Sequence, residues 1–328
     1  MHKQENPRFS PAIGVDLMGS ECDPSAIFAS ILSLLEKNAD PFFIHFFGSS
    51  SVEKTYQSNP IYQTFDQKKG VCTFHVCKET IHMEDDPLSA ALDKTASSLI
   101  QGIEALKVGT LSGFISCGNT GALLSAAKLR LPLMRSIERP ALCVLLPTKK
   151  APVALLDVGA NATAKEKHLV QFAKMGVAYQ QALGVAFPKV ALLNIGKEPL
   201  KGGIFRKRCY DALSENTSFS FVGNVEPKTV LEGEAVDVVV TEGFIGNIFL
   251  KTAEASFSFC THLLQKKAID QHAFFPGALL LGTKGLLIKC HGDTNPDSIA
   301  LSIENMLQIF DKKLVEKIDC SLQENGRR

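Results

Sequence analysis

Residues 151–171, APVALLDVGANATAKEKHLVQ, decide the fold of this chain. Within them an apolar run stops at Asp157 and opens into the glycine and asparagine of residues 159–161, and a helical pattern starts near Lys165. An apolar run that is closed by such residues is typical of a buried strand that ends in a tight loop. The stretch therefore predicts a strand, a glycine loop and a helix.

The same succession recurs along the chain. Apolar runs also lead into glycine and asparagine within residues 114–121, 190–196, 219–224 and 236–247. Glycine lets the backbone turn sharply and approach a ligand, and asparagine supplies neutral donors and acceptors that are cheaper to desolvate than a carboxylate. In an open parallel sheet these loops lie at the carboxyl ends of the strands, where such folds bind ligands. We therefore expect one cleft that is lined by loops from most of the chain.

Strands and helices alternate from the start of the sequence. Further strands are predicted at residues 12–17, 42–47, 71–76, 141–146 and 153–156, and helices at residues 24–35, 92–106, 122–131, 165–183, 245–264 and 295–318. Such alternation favours right-handed crossovers and an α/β fold with a mostly parallel, three-layer sheet. Because no linker or low-complexity segment divides the chain, we expect one domain over residues 1–328, with a minor helical lobe around residues 248–277 as an option.

Composition narrows the class of protein. The 328 residues carry a net charge of +1 without a basic block, which gives no support for nucleic-acid binding. The nine cysteines form no C-x-x-C pair, which favours a reducing compartment over a zinc ribbon or a disulfide framework. Because no signal core and no apolar run of roughly 18 residues is present, we expect a soluble, cytoplasmic protein.

The sequence also lacks several catalytic patterns. It contains no P-loop, no dinucleotide fingerprint after the first strand, no zincin motif and no hydrolase nucleophile elbow. Backbone amides at helix starts, asparagines and a few lysines remain, and these groups can hold an anion such as phosphate without a metal. We therefore expect no cofactor and no metal site.

Eight short motifs follow one another along the chain. They are VDLMG at 15–19, GNTGA at 118–122, DVGAN at 157–161, HLVQF at 168–172, LNIG at 193–196, FVGNVE at 221–226, GFIGN at 243–247 and IKCHG at 288–292. Together they resemble the phosphate acyltransferases of bacterial phospholipid synthesis. The resemblance covers nearly the whole chain.

This resemblance implies a reaction and a setting. A long-chain acyl group passes from acyl carrier protein to inorganic phosphate, giving acyl phosphate and free carrier. It also implies a homodimer, a Rossmann-like fold akin to the isocitrate and isopropylmalate dehydrogenases and the phosphotransacetylases, and peripheral association with the inner membrane face. The product would feed a membrane glycerol-3-phosphate acyltransferase.

The predicted loops suit that reaction. A site for it must hold a phosphate dianion against a thioester and stabilise the oxyanion that forms. The amides of residues 118–121 and 159–161, with the side chains of Asn119, Asn161 and Asn247, are candidate donors. Because phosphate is itself a competent nucleophile, we expect direct transfer without a covalent acyl-enzyme.

The candidate site residues fall into two groups. The catalytic candidates are Asn119, Asp157, Asn161 and His291. The candidates for binding phosphate or substrate are Gly118, Thr120, Gly121, Gly159, Lys165, Asn194, Gly196, Asn224, Gly246 and Asn247. His291 is included because a histidine titrates near neutrality. The structural alternatives are that a strand-end aspartate such as Asp16 or Asp157 anchors a loop, that Lys165 is solvated and that His168 packs or caps a helix.

Some positions call for separate treatment. Cys117 precedes the loop at residues 118–121, and we expect it to be inert because a buried strand-end thiol usually is. Residues 256–277 are shorter than the helical hairpin that the resemblance implies. Their phenylalanines and lysines either form an apolar patch with a basic edge for a membrane, or a core or dimer contact.

Three other functions stay open. A phosphotransacetylase would use coenzyme A thioesters and would not need a long acyl tunnel. A dehydrogenase of the isopropylmalate type would need clustered aspartates for a divalent metal, and the sequence shows no such cluster. A scaffold that recruits carrier protein would bind it without releasing a thiol.

Overall fold

The computed structural model describes residues 10–19, 22–37, 42–59, 71–233, 236–263, 277–290 and 295–324. These residues belong to two compact units. Unit 1 is drawn from Met1–Leu131 and Gly285–Asp311, and unit 2 from Pro132–Lys284 and Lys312–Arg328. The expectation of one domain with a minor lobe around residues 248–277 stays a prediction.

Strands and helices alternate through most of the described chain. The strands are β1 (Ala12–Asp16), β2 (Phe43–Gly48), β3 (Cys72–Val76), β4 (Gly113–Ser116), β5 (Ala141–Leu146), β6 (Val153–Leu156), β7 (Lys189–Leu193), β8 (Ser220–Val225), β9 (Val238–Val240), β10 (Gly277–Leu281) and β11 (Leu286–Cys290). The helices are α1 (Pro24–Lys37), α2 (Ser50–Gln57), α3 (Pro87–Asp93), α4 (Ser98–Lys107), α5 (Thr120–Arg130), α6 (Glu166–Ala182), α7 (Gly203–Ser214), α8 (Pro227–Glu232), α9 (Gly243–Leu263), α10 (Pro296–Asp311) and α11 (Leu314–Glu324).

The strands of unit 1 run in the order β3-β2-β1-β4-β11, and each described pair is parallel. In this register Asp16 lies beside Ser116, and Ser116 lies beside Lys289. Paired residues of neighbouring strands point to the same face of a sheet. The three polar residues therefore line up at the carboxyl ends of β1, β4 and β11.

The strands of unit 2 run in the order β10-β5-β6-β9-β7-β8. β5 is antiparallel to β6 and to β10, and the pairs β6–β9, β9–β7 and β7–β8 are parallel. Where β6 and β9 end, Asp157 N donates to Thr241 O at 3.1 Å, so the loops that follow these two strands start side by side. The expectation of an α/β fold with a mostly parallel sheet is confirmed.

The long helix α9 starts three residues after β9 ends and runs for 21 residues. Its buried residues include Phe249, Leu250 and Ala253, while Phe244, Ile248 and Phe259 are exposed. Among the residues that the structure describes, no helix combines the length and the apolar character needed to cross a membrane.

The prediction of a glycine loop after a strand is wrong for residues 223–224. Gly223 and Asn224 do not follow a strand but lie inside β8, where the register with β7 shifts between Val190 and Leu192. Gly223 has φ +96°, a conformation that glycine adopts without a side-chain clash. A β-bulge in a strand can therefore look like a strand end in a sequence.

Two predicted helices are each divided in the structure. The helix expected over residues 92–106 is α3 and α4, because residues 94–97 leave the helix and Ala96 N donates to Glu79 Oε2 at 2.9 Å. The helix expected over residues 295–318 is α10 and α11, which separate at Lys313 with φ +50°. The apolar residues keep their helical spacing through both breaks. The spacing alone therefore does not reveal where the helices end.

Several elements of the structure were not predicted from the sequence. These are α2, α7, α8, β10 and β11. The two strands are short apolar runs, and both are buried along their length. A run of five apolar residues does not by itself distinguish a buried strand from part of a helix.

Candidate active site

The carboxylate of Asp157 organises the loop that follows β6. It is fully buried. Its Oδ1 accepts hydrogen bonds from the backbone N–H groups of Leu142, Gly159 and Ala160 at 3.1, 3.1 and 2.8 Å. Its Oδ2 accepts from the backbone N–H and the side-chain Nδ2 of Asn161 at 2.7 and 2.9 Å. Burial raises the pKa of Asp157, and the bonds from Ala160 and Asn161 oppose that shift.

These hydrogen bonds correct one prediction from the sequence about which groups donate to phosphate. The N–H groups of Gly159, Ala160 and Asn161 were expected to hold phosphate, but each of them is donated to Asp157. Gly159 has φ +139°, which a residue with a side chain rarely adopts. Asp157 thus anchors its own loop, which is the structural role given above as the alternative to a site role.

Asn161 is also engaged within the fold. Its Nδ2 donates to Pro140 O at 2.9 Å in addition to Asp157, which uses both of its side-chain N–H groups. Its backbone carbonyl accepts from Gly243 N at 2.9 Å. Asn161 therefore joins the loop to the start of α9.

The first turn of α9 lies against this loop. A Cβ on Gly246 would come within 1.8 Å of Asp157 O, and a Cβ on Gly243 within 2.7 Å of Asn161 O. Asn247 lies next to Gly159 and is exposed, so its side chain is accessible beside the loop. Gly243 N donates to Asn161 O and Gly246 N donates to Glu242 O, so the N–H groups of this turn that remain for an anion are those of Phe244 and Ile245, at the positive end of the helix dipole. The structure thereby brings together Asp157, Gly159, Asn161, Gly246 and Asn247.

Asn194 and Asn224 serve a second loop in unit 2, residues 194–202. Asn194 Nδ2 donates to Lys201 O at 3.0 Å, and Asn224 Nδ2 donates to Glu198 O at 2.8 Å. A Cβ on Gly196 would meet the side chains of Glu198 and Lys201, so the loop folds closely over this glycine. The side-chain amides of both asparagines therefore hold the loop in place. Asn224 Oδ1, by contrast, is buried without a hydrogen-bond partner in the described structure.

An ion pair precedes α9. Arg206 Nη2 lies 2.5 Å from Glu242 Oε1, and the two side chains are 12% and 14% exposed. Arg206 was not singled out in the sequence, because an arginine in a polar helix normally reads as a solvated residue. It places a cation close to the start of α9.

A cavity of about 1210 Å³ lies beside α9 in unit 2. One wall is the helix from Ile245 to Cys260, and the opposite wall includes Leu193, Pro227 and Leu231. Its lining is mainly apolar, and Arg206 and Asn194 are among its few polar residues. Ligand pockets typically measure about 300–1,000 Å³, so this one has room for a large apolar group.

Lys165 and His168 form a local pair at the start of α6. The backbone N–H of Lys165 donates to His168 Nδ1 at 3.1 Å, and the Lys165 side chain is exposed. His168 is buried, and burial lowers its pKa. His168 thus has the packing and capping role that was its structural alternative.

Unit 1 contains a separate buried polar cluster. Ser116 Oγ donates to Asp16 Oδ2 at 2.8 Å and accepts from Gly118 N at 3.1 Å. Burial raises the pKa of Asp16 to about 6, against hydrogen bonds from Ser98, Met18 and Ser116 and the charge of Lys289. Ser116 and Lys289 are not among the site residues predicted from the sequence. The lysine within the apolar run LLIKC was the available signal, because a lysine is rarely buried without a partner.

Asn119 holds the loop before α3. Its Nδ2 donates to the carbonyls of His82, Met83 and Asp85 at 3.2, 3.1 and 3.1 Å, and its Oδ1 caps α5 by accepting from Ala122 N. The side-chain N–H groups of Asn119, which were expected to bind phosphate, therefore donate to backbone carbonyls. The backbone N–H of Gly118 donates to Ser116 Oγ. The N–H groups of this loop that remain candidates for binding phosphate are therefore those of Thr120 and Gly121, in the first turn of α5.

The thiol of Cys117 is buried and lies against that of Cys290. Its hydrogen bond with Cys290 and its burial raise the pKa of Cys117, which disfavours the nucleophilic thiolate. Lys289 Nζ is directed at the carbonyls of Cys117 and Cys290. The geometry agrees with an inert Cys117.

Two further expectations concern other parts of the chain. His291 lies outside the described residues, as do Lys266, Lys267, Phe274 and Phe275. Over the described ranges, no three or more histidine, cysteine or acidic side chains are grouped so that they could hold a metal ion. The expectation of one cleft stays a prediction.

The fold is shared with phosphotransacylases and related α/β proteins. A branched-chain phosphotransacylase from Enterococcus faecalis V583 superimposes with a TM-score of 0.58 at 14% identity, covering 90% of this chain and 98% of the other. A phosphotransacetylase from Streptococcus pyogenes gives 0.59 at 13% identity, with 92% and 94% coverage. A putative 4-hydroxythreonine-4-phosphate dehydrogenase from Salmonella typhimurium gives 0.56 at 13% identity, with 92% and 100% coverage. At these identities the likeness establishes the fold alone.

Sequence relatives identify the family. A family described as "Fatty acid synthesis protein" matches residues 12–273. A phosphate acyltransferase from Chlamydia pneumoniae is 37% identical over 316 residues, covering 93% of this chain and 97% of the relative. One from Staphylococcus epidermidis is 36% identical over 330 residues, with 91% and 97% coverage. The chain belongs to the phosphate acyltransferase family and is an acyltransferase.

Proposed function

We propose that this protein transfers a long-chain acyl group from acyl carrier protein to inorganic phosphate. The observation that carries the proposal is the apolar cavity along α9, whose lining reaches Ile245 in the first turn of this helix. An acetyl group would leave such a cavity almost empty, whereas a long acyl chain would bury its methylene groups there. The cavity therefore favours a long-chain donor over the acetyl donors of phosphotransacetylases.

In this proposal, the phosphate that accepts the acyl group binds at the first turn of α9. Its amide donors and the exposed side chain of Asn247 meet the loop that Asp157 holds in place. A helix start of this kind stabilises both a phosphate dianion and the oxyanion of a tetrahedral intermediate. Asp157 acts here by positioning, because both of its carboxylate oxygens accept hydrogen bonds from the N–H groups of its own loop.

The reaction needs no covalent enzyme intermediate. An oxygen of hydrogen phosphate attacks the thioester carbonyl carbon, a C–O bond forms, and the C–S bond of the tetrahedral oxyanion then breaks. The proton of hydrogen phosphate leaves with the carrier thiol. Acyl phosphate is the other product, and it would feed a membrane glycerol-3-phosphate acyltransferase.

Surface charge supports a carrier protein as donor. Lys149, Lys197 and Lys201 are exposed on the two loops that contribute to the cavity lining. An acidic carrier would be steered to these loops by complementary charge. The homodimer, the cytoplasmic location and the contact with the inner membrane face remain predictions from the resemblance.

The test compares donors with metal chelated. We expect phosphate-dependent thiol release from palmitoyl carrier protein, and a Lys201→Glu change should raise KM for this donor several-fold while Lys128→Glu does not. Turnover of acetyl coenzyme A without turnover of palmitoyl carrier protein would establish the phosphotransacetylase alternative. Carrier binding without thiol release would establish the scaffold. An acyl-enzyme recovered from an acid quench would refute direct transfer.

A further inference from the structure

We propose that Cys117 and Cys290 form a redox-sensitive pair that hydrogen peroxide oxidises to a disulfide between the ends of β4 and β11, and that this disulfide reversibly lowers turnover. Neither thiol takes part in the proposed reaction. The formation of the disulfide is independent of the proposed function, whereas its effect on turnover rests on that function.

The strand register places the two cysteines side by side. Ser116 pairs with Lys289 in the parallel pair β4–β11, and Cys117 and Cys290 are the next residues along the two strands. Neighbouring strands lie about 4.8 Å apart, and paired residues point to the same face of the sheet. Disulfides join Cα atoms that are about 4.4–6.8 Å apart. The backbone therefore already has the spacing that a disulfide needs, and the two thiols are hydrogen bonded to each other.

The surroundings of the pair distinguish its two thiols. The hydrogen bond with Cys117 lowers the pKa of Cys290 against the effect of burial, and Ser302 and the charge of Lys289 act in the same direction. Ser302 Oγ lies 3.3 Å from Cys290 Sγ. The hydrogen bond with Cys290 and burial raise the pKa of Cys117. Because the thiolate is the nucleophile in thiol oxidation, Cys290 reacts with the oxidant and Cys117 resolves the product.

The oxidation balances with hydrogen peroxide as the oxidant. The Cys290 thiolate attacks one peroxide oxygen, the O–O bond breaks, and Cys290 sulfenic acid forms while hydroxide leaves and takes up a proton to become water. The Cys117 thiol then attacks the Cys290 sulfur, the S–O bond breaks, and a second water leaves. The two thiols have lost two electrons and two protons, and a thiol reductant returns them.

Burial of the pair selects a small oxidant. Cys117 and Cys290 are 2% and 0% exposed, so a bulky disulfide such as oxidised glutathione has no approach to either sulfur in the closed fold. Hydrogen peroxide is close to water in size and reaches buried groups when a segment opens locally. Transient disulfides of this kind are the ones found in the reducing compartment that the sequence leads us to expect.

The disulfide acts on the loop that follows β4. It draws the two sulfurs to about 2.0 Å, which is far closer than hydrogen-bonded thiols lie. Cys117 is joined directly to Gly118, whose N–H donates to Ser116 Oγ at 3.1 Å, and Asn119 then caps α5. Lys289 Nζ is directed at the carbonyls of both cysteines, so the shift also moves a buried charge. Oxidation thereby reaches the first-turn amides of α5 that remain candidates for binding phosphate.

The first experiment maps the disulfide. The unaltered chain is treated with hydrogen peroxide, unfolded in urea with N-ethylmaleimide and digested, and we expect a cross-linked pair of peptides that contain Cys117 and Cys290 and that dithiothreitol separates. Cys143 is the internal control, because it is also buried, and burial and the charge of Asp157 raise its pKa. Its thiol should stay reduced. Absence of the cross-link, or equal oxidation of Cys143, would overturn the inference.

The second experiment tests which thiol reacts first. In Cys117→Ala the sulfenic acid has no resolving thiol, so unfolding the peroxide-treated variant in dimedone should label Cys290. In Cys290→Ala the remaining Cys117 should stay reduced, because its raised pKa disfavours the thiolate. A dimedone label on Cys117 in the second variant would contradict the assignment of Cys290 as the reactive thiol.

The third experiment measures turnover after catalase has removed the peroxide. Thiol release by the unaltered chain should fall roughly 10-fold, because small displacements of binding groups are costly to catalysis, and dithiothreitol should restore it. Cys290→Ala should keep its rate within about 2-fold after the same treatment, because its remaining thiol does not react. A mapped disulfide without loss of turnover, or an equal loss in Cys290→Ala, would overturn the effect on activity. Absence of thiol release by the reduced chain would contradict the proposed function alone, because the cross-link is detected without turnover.

Discussion

The Nδ2 group of Asn161 donates to Asp157 Oδ2 at 2.9 Å, and the backbone N–H of the same residue donates to the same oxygen at 2.7 Å. An asparagine that resembled a phosphate ligand in the sequence is thus a partner of a buried carboxylate. Replacing it should affect the fold before it affects any ligand.

Asn161→Ala should lower the free energy of unfolding by about 1–3 kcal/mol, because it removes the side-chain hydrogen bonds to Asp157 Oδ2 and to Pro140 O. Urea denaturation measures the change. Asn247→Ala is the control and should shift the unfolding free energy by less than about 0.5 kcal/mol, since Asn247 is exposed. Equal stabilities of the two variants would contradict a structural role for Asn161.

Gly246→Ala should separate the start of α9 from the loop of Asp157. The new Cβ would lie 1.8 Å from a backbone oxygen, which cannot move as a flexible side chain can. We expect a loss of about 3 kcal/mol or more in stability and a large loss of turnover. Gly109→Ala, where no atom lies within 4 Å and only the φ of +81° opposes a side chain, should cost about 1 kcal/mol.

Asp16 should make stability fall as pH rises. Its folded pKa is about 6 against an ordinary value of 3.8, so the folded state holds the proton more tightly than the unfolded state does. Between these two pH values the folded state binds more protons, and its free energy of unfolding decreases with rising pH by up to about 3 kcal/mol. Above pH 6 the effect is constant.

The Asp16→Asn variant isolates this contribution. Its stability relative to the unaltered chain should increase between pH 4 and pH 7, because the amide does not ionise in the buried site. Denaturation curves at a series of pH values measure the difference. A difference that is independent of pH would show that Asp16 does not titrate in this window.

Asn247→Ala should weaken phosphate binding. If the exposed amide donates to phosphate, its loss removes one charge-assisted hydrogen bond and should raise KM for phosphate roughly 10-fold to 100-fold. Initial rates at varied phosphate concentration measure this. Ser258→Ala, at an exposed position on the same helix, should leave KM unchanged. An unaltered KM in Asn247→Ala would place the phosphate elsewhere.

Cys117→Ala should retain thiol release within about 3-fold. The buried thiol has a raised pKa and lies against Cys290, so it is a poor nucleophile. Mass spectrometry of the quenched enzyme should show no acyl adduct at this residue in the unaltered chain. Complete loss of turnover together with an acyl adduct would make Cys117 the nucleophile.

Much of the fold could be predicted because its signals are local. The apolar run before Asp157 is a strand, the pattern after Lys165 is a helix, and the alternation of the two along the chain indicates a mostly parallel sheet. The bulge at Gly223 and the break at Lys94 could not be predicted in the same way. Both depend on what the backbone pairs with in a distant segment.

The hydrogen bonds of the candidate site could not be predicted from the motifs. The motifs placed Asp157 and Gly243 each after a strand, and only the structure shows that the loop at Asp157 and the start of α9 are in contact. The motifs also could not show that Asn119 donates to three carbonyls or that Asn194 donates to Lys201. A side chain's partners depend on the three-dimensional path of the backbone around it.

The sequence by itself determined the class of fold, the family and the loops that follow the strands, because these are recorded in apolar periodicity and in short motifs. Only the tertiary structure decided which polar groups meet. Asp16 and Ser116 are 100 residues apart in the chain, and strand register makes them neighbours. The same holds for the cavity beside α9, whose walls come from segments that are brought together by packing and share no local pattern.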